Sequence, residues 1–376
     1  MSIAECLLSP KFLSTLRGAL ISYITELVEG AFICLELIFE GGDMMIFVYV
    51  CLILAVGLVV TRLYLTYTRW PNCMKCLLGK TCIVTGSNTG IGYYTALDFA
   101  MRGGRVILAC RNEEKANEAQ KKIIEATGNK NVHVRLVNFA SLDSVRAFCE
   151  EFNRTEEKLD ILVNNAGAVG TGNKKTKDGI MIQMQINYFA PFLLTHLLIG
   201  KLLKAENARV VNVSSLLSYY GQLDLEHFNE YPFSGNMTKS ELTMYYTSKQ
   251  CEVLFTRELA RRLRGTRVTC NALHPGSIMT DIWRNVPNWY KPFLIFIISF
   301  IFKTPHQGAQ TSIYCALSDD LNDVTGMWFE NAKITKFYPS HLDDTLGKKL
   351  WTRSEEMVKL RSEEMIPENG YVMSQA

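Results

Sequence analysis

The chain has 376 residues and a formal net charge of +3, and it is 48% hydrophobic and 20% charged. That is enough apolar material for one large α/β core with an N-terminal extension to spare; with so little net charge, and no Lys/Arg stripe interleaved with aromatics, nucleic acid is not an expected partner. The 11 cysteines are odd in number and scattered, so they do not read as a disulfide framework, and Cys73-Met74-Lys75-Cys76 lacks the second ligand pair that zinc wants; reduced thiols are expected, with reversible acylation of Cys73 and Cys76 as the alternative.

Residues 1–43 place Leu20, Ile24, Leu27, Ala31, Cys34, Leu35 and Ile38 at helical spacing, with Glu26, Glu29, Glu36 and Glu40 on another side. An amphipathic acidic extension is expected there, and its acidic face argues against anionic lipid. A partner-binding helix and an idle extension both stay open. Residues 44–61 carry no charge and as a helix cover about 27 Å, close to the ~30 Å of a bilayer's hydrocarbon. A transmembrane anchor is therefore assigned to residues 44–68. Asp43 precedes it and Arg62, Arg69, Lys75 and Lys80 follow it, which by the positive-inside bias puts the rest of the chain in the cytosol.

From Lys80 onward, β-rich runs at 81–85, 105–109, 132–137, 161–164, 209–213, 267–273 and 326–329 alternate with helical stretches at 92–102, 113–127, 142–152, 181–203, 248–263 and 307–317. Right-handed crossovers turn such a pattern into an α/β fold, a Rossmann-type doubly wound parallel sheet, with its ligand crevice at the strand C-termini. The catalytic domain is assigned to 78–350. A C-terminal helix and tail take 351–376, where the echo of Arg353-Ser354-Glu355-Glu356-Met357 in Arg361-Ser362-Glu363-Glu364-Met365 predicts a solvated terminal helix.

Within the first strand–helix turn, Gly86-Ser87-Asn88-Thr89-Gly90-Ile91-Gly92 spaces its glycines so that backbone N–H groups and a helix N-terminus approach a pyrophosphate. The second strand runs into Arg111 with no acid to take a ribose 2′-hydroxyl, which favours NADP(H) over NAD(H). Farther on, Tyr245 and Lys249 stand at i and i+4, so on a helix they share a face. An ammonium beside a phenol favours the phenolate, and the tyrosine pKa is expected to fall toward working pH, where acid–base catalysis on an alcohol or carbonyl is most effective.

Taken in order, Thr85-Gly86-x-x-x-Gly90-x-Gly92, Asn164-Asn165-Ala166-Gly167, Ser214-Ser215, Tyr245-x-x-x-Lys249 and Pro275-Gly276-Ser277-Ile278-Met279-Thr280 resemble the short-chain dehydrogenase/reductase family across residues 78–350. The stretches at 255–263 and 302–312 are similar to its membrane-anchored retinol dehydrogenase branch, and the C-terminal portion also resembles the dehydrogenase/reductase X-linked protein, associated with polyprenoids. The resemblance implies that Tyr245 is the acid–base residue, that Lys249 acidifies it and holds the nicotinamide ribose, that Ser215 rather than Ser214 bonds the reacting oxygen, and that Asn187 positions a relay water. It further implies nucleotide contacts from Gly86, Ser87, Asn88, Gly90, Ile91, Gly92, Arg111, Asn138, Asn165, Ala166, Gly167, Pro275, Gly276 and Thr280, with Asn138 standing where the family usually has an aspartate.

The function expected is a membrane-anchored NADP(H)-dependent oxidoreductase that interconverts a lipophilic, retinoid-like alcohol and its aldehyde or ketone, placed by resemblance in the endoplasmic reticulum. Polyprenoid or steroid substrates are the alternative of the same class. A catalytically silent nucleotide-binding scaffold is the alternative of another class. The partners are a lipophilic small molecule and the bilayer, with a homodimer and a protein partner for the N-terminal helix as further candidates. The apolar run 292–302 reads either as a buried lid helix or as a lid dipping into the membrane interface.

Overall fold

The computed structural model describes residues 44–232, 237–278, 302–335, 344–368 and 370–371. The acidic extension, Thr280 and all of the apolar run except Phe302 lie outside them. Two compact units result, Met1–Tyr67 with Pro292–Phe302, and Thr68–Lys291 with Lys303–Ala376.

The described part of the first unit is helix α1 (Met44–Thr66), whose sequence holds Arg62 as its one charge. An apolar helix that is hydrophobic all round belongs either in a core or in a bilayer. Over Val48–Thr66 only 11% of the apolar window is buried within the protein, whereas 67% is buried in the other apolar stretch of similar length, Ile182–Leu203. The former is a candidate transmembrane span and the latter a core helix.

The second unit is an eight-stranded sheet in the order β3-β2-β1-β4-β5-β6-β7-β8. Its strands are β1 (Thr81–Thr85), β2 (Arg105–Cys110), β3 (Val132–Leu136), β4 (Ile161–Asn164), β5 (Ala208–Val213), β6 (Val268–His274), β7 (Trp328–Glu330) and β8 (Lys333–Ile334). All pairings are parallel except β7 with β8. Strands covered on both faces read as continuous apolar runs, and β1 and β4 are buried at every position. Alternate residues then feed two cores. Cys82, Val84, Val106 and Leu108 pack with Ala96 and Phe99 of α2 (Gly90–Met101), Ile123 of α3 (Glu113–Thr127) and Ile313 of α7 (Pro305–Leu317). Ile83 and Ile107 pack with Phe148 and Phe152 of α4 (Leu142–Thr155), Leu193 of α5 (Ala190–Leu203), Leu254 of α6 (Met237–Arg262) and Trp351 of α8 (Asp344–Met357).

Local signals set several of the helix ends. Asn112 caps α3 by accepting the Lys115 N–H at 2.8 Å, Glu113 and Glu114 complement the first turn, and Gly128 at φ 70° stops the helix. α7 starts with a capping box between Thr304 and Gln307, with Pro305 following the cap.

The doubly wound sheet is as the sequence predicts, with four departures. The helix expected over 181–203 is interrupted by a π turn at Gln185–Phe189, where Ala190 N–H donates to the carbonyl of Gln185, five residues back. The strand expected at 326–329 begins later, because Gly326 (φ 75°) turns the chain before it. A tight turn with positive φ at Asn331 and Ala332 then adds β8. Finally, the terminal segment is docked rather than solvated: Trp351, Ser354, Val358 and Ile366 are buried, and the Tyr188 hydroxyl lies 2.7 Å from that of Ser354.

His196 of α5 sits in this core with its Nδ1–H on the Phe192 carbonyl at 2.8 Å and its ring against Phe192, Phe255 and Trp351. Burial holds its pKa down to about 3. The unfolded chain therefore binds a proton that the folded chain refuses between the ordinary histidine value and about 3. The stability that neutral His196 contributes is fully present above pH ~6.5 and is lost as pH falls through that window, by up to about 1.4 kcal/mol per pH unit. Thermal melts of the full chain should show the melting temperature dropping below pH ~6.5, and His196→Phe should weaken that dependence, the buried His274 keeping the remainder.

Candidate active site

The site gathers at the C-terminal ends of β1, β4, β5 and β6. Chain progress reverses between β1 and β4, the place where an open parallel sheet parts to leave a crevice. Thr85 ends β1, and its hydroxyl accepts the N–H groups of Asn165 (2.9 Å) and Ala166 (3.0 Å) and donates to the Val163 carbonyl at 3.3 Å. The Asn165 amide donates to the carbonyls of Thr85 (2.8 Å) and Gly86 (3.4 Å). Asn165 thus braces the glycine turn with its side chain.

Two glycines of the turn are there for want of room. Gly86 has φ 66°, and a Cβ on it would stand 3.0 Å from Ala166 Cα; a Cβ on Gly92 would stand 2.5 Å from Asn165 Nδ2 and 2.6 Å from the Gly86 carbonyl oxygen. α2 opens at Gly90 with no side-chain bond from its cap residue Thr89 and no acid in its first turn. The turn's other members are set apart from one another. Ser87 is buried with its hydroxyl 3.4 Å from Cys110 Sγ, while Ile91 lies beside the Gly308 position of α7. Arg111 is exposed immediately after β2. Asn138, past β3, accepts the Ala140 N–H at 3.1 Å.

On the other side of the crevice, α6 carries Tyr245 and Lys249 together. Its start at Met237, upstream of the expected one, includes both residues and puts them on one face, the ammonium 5.9 Å from the phenol ring centroid. The Ser215 hydroxyl, just past β5, lies close enough to the Tyr245 phenol to favour its ionised form, and it accepts the Leu217 N–H at 3.2 Å. Ser214 is turned away from the phenol and donates to the Lys249 carbonyl at 2.8 Å. Asn187 in the π turn is wholly buried and spends its amide on Ala168 N–H (2.7 Å), the Ala168 carbonyl (2.9 Å) and the Ser248 hydroxyl (3.0 Å). Gly167 lies between: a Cβ there would be 3.6 Å from Lys249 Nζ and 3.7 Å from Asn187 Oδ1. Pro275 and Gly276 follow β6, with Gly276 at φ 98° and the aliphatic stem of Lys303 where a Cβ would go.

The electrostatics of the pair differ from the expectation. Burial raises the Tyr245 pKa above the ordinary phenol value; Lys249 and the nearby Ser215 hydroxyl pull it down, Glu252 pushes it up, and the net direction is up. The lysine's pull is blunted because its ammonium, 4% exposed as a residue, donates to the Glu252 carboxylate at 3.0 and 3.1 Å and to the Val213 carbonyl at 2.9 Å. Sequence patterning did not single out Glu252, although its place three residues after Lys249 puts it on the same helical face.

With this geometry in view, the comparisons are specific. The short chain dehydrogenase family profile matches residues 80–231 and 233–291. The chain is 39% identical over 315 residues to dehydrogenase/reductase SDR family member 13 of Bos taurus, covering 82% of each chain. It is 40% identical over 292 residues to retinol dehydrogenase 14 of Mus musculus (74% of this chain, 86% of that one), and 41% identical over 288 residues to retinol dehydrogenase 13 of Homo sapiens (76% and 86%). Among solved structures, an uncharacterized protein from Mycobacterium paratuberculosis superposes with a TM-score of 0.60 at 27% identity, over 77% of this chain and 96% of that one. A short chain dehydrogenase from Escherichia coli CFT073, crystallised with NADPH, shares the fold at a TM-score of 0.53 and 24% identity, over 68% and 97%. The chain belongs to the short-chain dehydrogenase/reductase family, as an oxidoreductase similar to the retinol dehydrogenases.

Proposed function

We propose that this protein is a membrane-anchored, NADP(H)-dependent oxidoreductase that interconverts a lipophilic, retinoid-like alcohol and its aldehyde or ketone. The observation that carries the reading is the convergence of Ser215, Tyr245 and Lys249 across the crevice from a glycine turn whose helix lacks a side-chain cap. That turn fits a dinucleotide: the first-turn N–H groups of a helix without such a cap suit a pyrophosphate, and Gly86, Gly90 and Gly92 keep side chains out of its way. Arg111 would meet a 2′-phosphate, and Asn138, Ala166 and Gly167 would line the adenosine side. Pro275, Gly276 and Lys249 would border the nicotinamide end; the same role proposed for Thr280 lies outside the described residues. When bound, the nicotinamide supplies or accepts a hydride.

The chain's own part is the proton. In reduction Tyr245 donates its phenolic proton to the carbonyl oxygen, and in oxidation its phenolate takes the proton of the alcohol. The Ser215 hydroxyl, next to that phenol, donates to the oxygen on which negative charge develops. Asn187 fixes the backbone at Ala168 and the Ser248 hydroxyl, so the floor beneath Lys249 is rigid. Retinol dehydrogenase relatives and the exposed apolar surface of α1 support a greasy substrate met at a membrane, and the cations after α1 support a cytosolic catalytic domain at the endoplasmic reticulum.

Purified protein in detergent, given NADPH and retinal, should reduce the aldehyde, and Tyr245→Phe should lower kcat by about 10² to 10⁴ with cofactor affinity little changed. Arg111→Asp should shift the NADPH-to-NADH preference toward NADH by about tenfold to a hundredfold, the equivalent of roughly 1.5–3 kcal/mol for a charged hydrogen bond. In cells the full chain should stay with membranes through alkaline carbonate extraction, and three lysines placed within α1 should release it; a glycan found on Asn153, Asn212 or Asn236 would overturn the cytosolic orientation.

A further inference from the structure

Lys249 and Glu252 form an ion pair inside the protein, with side chains 5% and 4% exposed and Nζ–Oε distances of 3.0 and 3.1 Å. Removing both charges from water is costly, and a buried pair contributes little net stability compared with apolar packing of the same volume. Its location therefore calls for a role other than holding the fold. Lys249 lies one helical turn beyond the phenol and Glu252 two, on the same face of α6, and the carboxylate and the Val213 carbonyl together account for the described partners of the ammonium.

We propose that Glu252 is a positioning residue for the acid–base pair: it holds Lys249 as a charge-neutral unit against β5 and thereby sets the pH at which Tyr245 changes from proton donor to proton acceptor. The inference rests on the oxidoreductase reading for its meaning, and its geometry is independent of turnover. A lone ammonium at this range lowers a phenol by roughly one to three pKa units. Paired with a carboxylate it leaves burial in command, and Tyr245 stays a donor through neutral pH, in keeping with the upward direction of its pKa. Burial pushes Glu252 up to about 7, against the pull of Lys249. Acidification that protonates it would free the ammonium to act on the phenol.

The surroundings leave this pair in control of the local charge. Along α6 the neighbouring titratable groups are Tyr246, whose ring meets that of Tyr245 edge-on at 6.5 Å, and Cys251, a thiol raised by burial and by Glu252. From β5 come the Ser214 hydroxyl and the Val213 carbonyl, and from the π turn the Asn187 amide and Tyr188, a phenol that burial keeps protonated. On β6, His274 accepts the Leu216 N–H at 3.1 Å and is kept neutral by burial and the Lys303 charge. On α8, Glu355 bonds the Trp351 indole at 2.8 Å.

The test is a pH titration of phenolate absorbance on the full chain in detergent, without cofactor or substrate, taking the difference between each protein and its Tyr245→Phe counterpart. Glu252→Gln keeps the shape and a hydrogen-bond acceptor but removes the charge; the Tyr245 midpoint should fall by about one to three units. Glu252→Asn serves if the glutamine variant does not fold, and Glu252→Asp should hold the midpoint near wild type. In turnover, the reductive rate of Glu252→Gln should decline, and the oxidative rate rise, at a pH lower by the same amount. An unmoved midpoint in a folded Glu252→Gln or Glu252→Asn protein overturns the proposal, even if the melting temperature changes. Because the titration needs no reaction, an inactive wild type would count against the oxidoreductase reading, and the midpoints against Glu252.

Discussion

The seam between β1 and β4 is the constraint on which the site depends. A parallel sheet leaves a gap where its connections diverge, and backbone groups at that gap lose their ladder partners. Here the Thr85 hydroxyl and the Asn165 amide take up those groups, so the two strands can part while the polar atoms between them stay satisfied. The close approach they impose leaves no space for side chains at positions 86 and 92. Both the glycines and the cradle they form follow from one requirement, that a buried N–H or C=O keep a partner.

A second polar chain ties the sheet to the helix that bears Tyr245. Asn164 donates to Asn212 (2.8 Å), Asn212 to Thr256 (2.8 Å), and Thr256 to the Glu252 carbonyl (2.7 Å). These groups are buried, so each link is costly to break, and the chain fixes the height of α6 over β4 and β5. Lys249 then finds the Val213 carbonyl at the end of β5 without a search. The α6 surface below is apolar and packs Leu254, Phe255 and Leu259 into the core, which leaves the polar face of the helix for chemistry.

What was legible in the sequence is what spacing alone determines. Buried parallel strands announce themselves as unbroken apolar runs, a glycine that admits no Cβ appears as a glycine, and a four-residue step on a helix brings Tyr245 and Lys249 to one side whatever the surroundings. The features that escaped depend on contacts with distant residues. The π turn at 185–189 has no local signature, and the β7–β8 hairpin turns through Ala332 at φ 55°, a conformation alanine seldom adopts. The direction of the phenol's pKa needed the burial of the site and the pairing of Lys249 with Glu252, neither of which a motif records. The repeat at 353–365 misled because its charges are real but its Ser354 faces inward, toward Tyr188.

The docking of α8 has a bearing on how the chain is made. Trp351 stacks near Phe192 and Phe255, takes the Arg262 guanidinium over its ring at 4.3 Å, and closes a core whose other members were laid down from residue 83 onward. A ribosome delivers that tryptophan after all eight strands, so one flank of the nascent sheet stays greasy and uncovered through most of translation. An attendant chaperone has that interval in which to shield it.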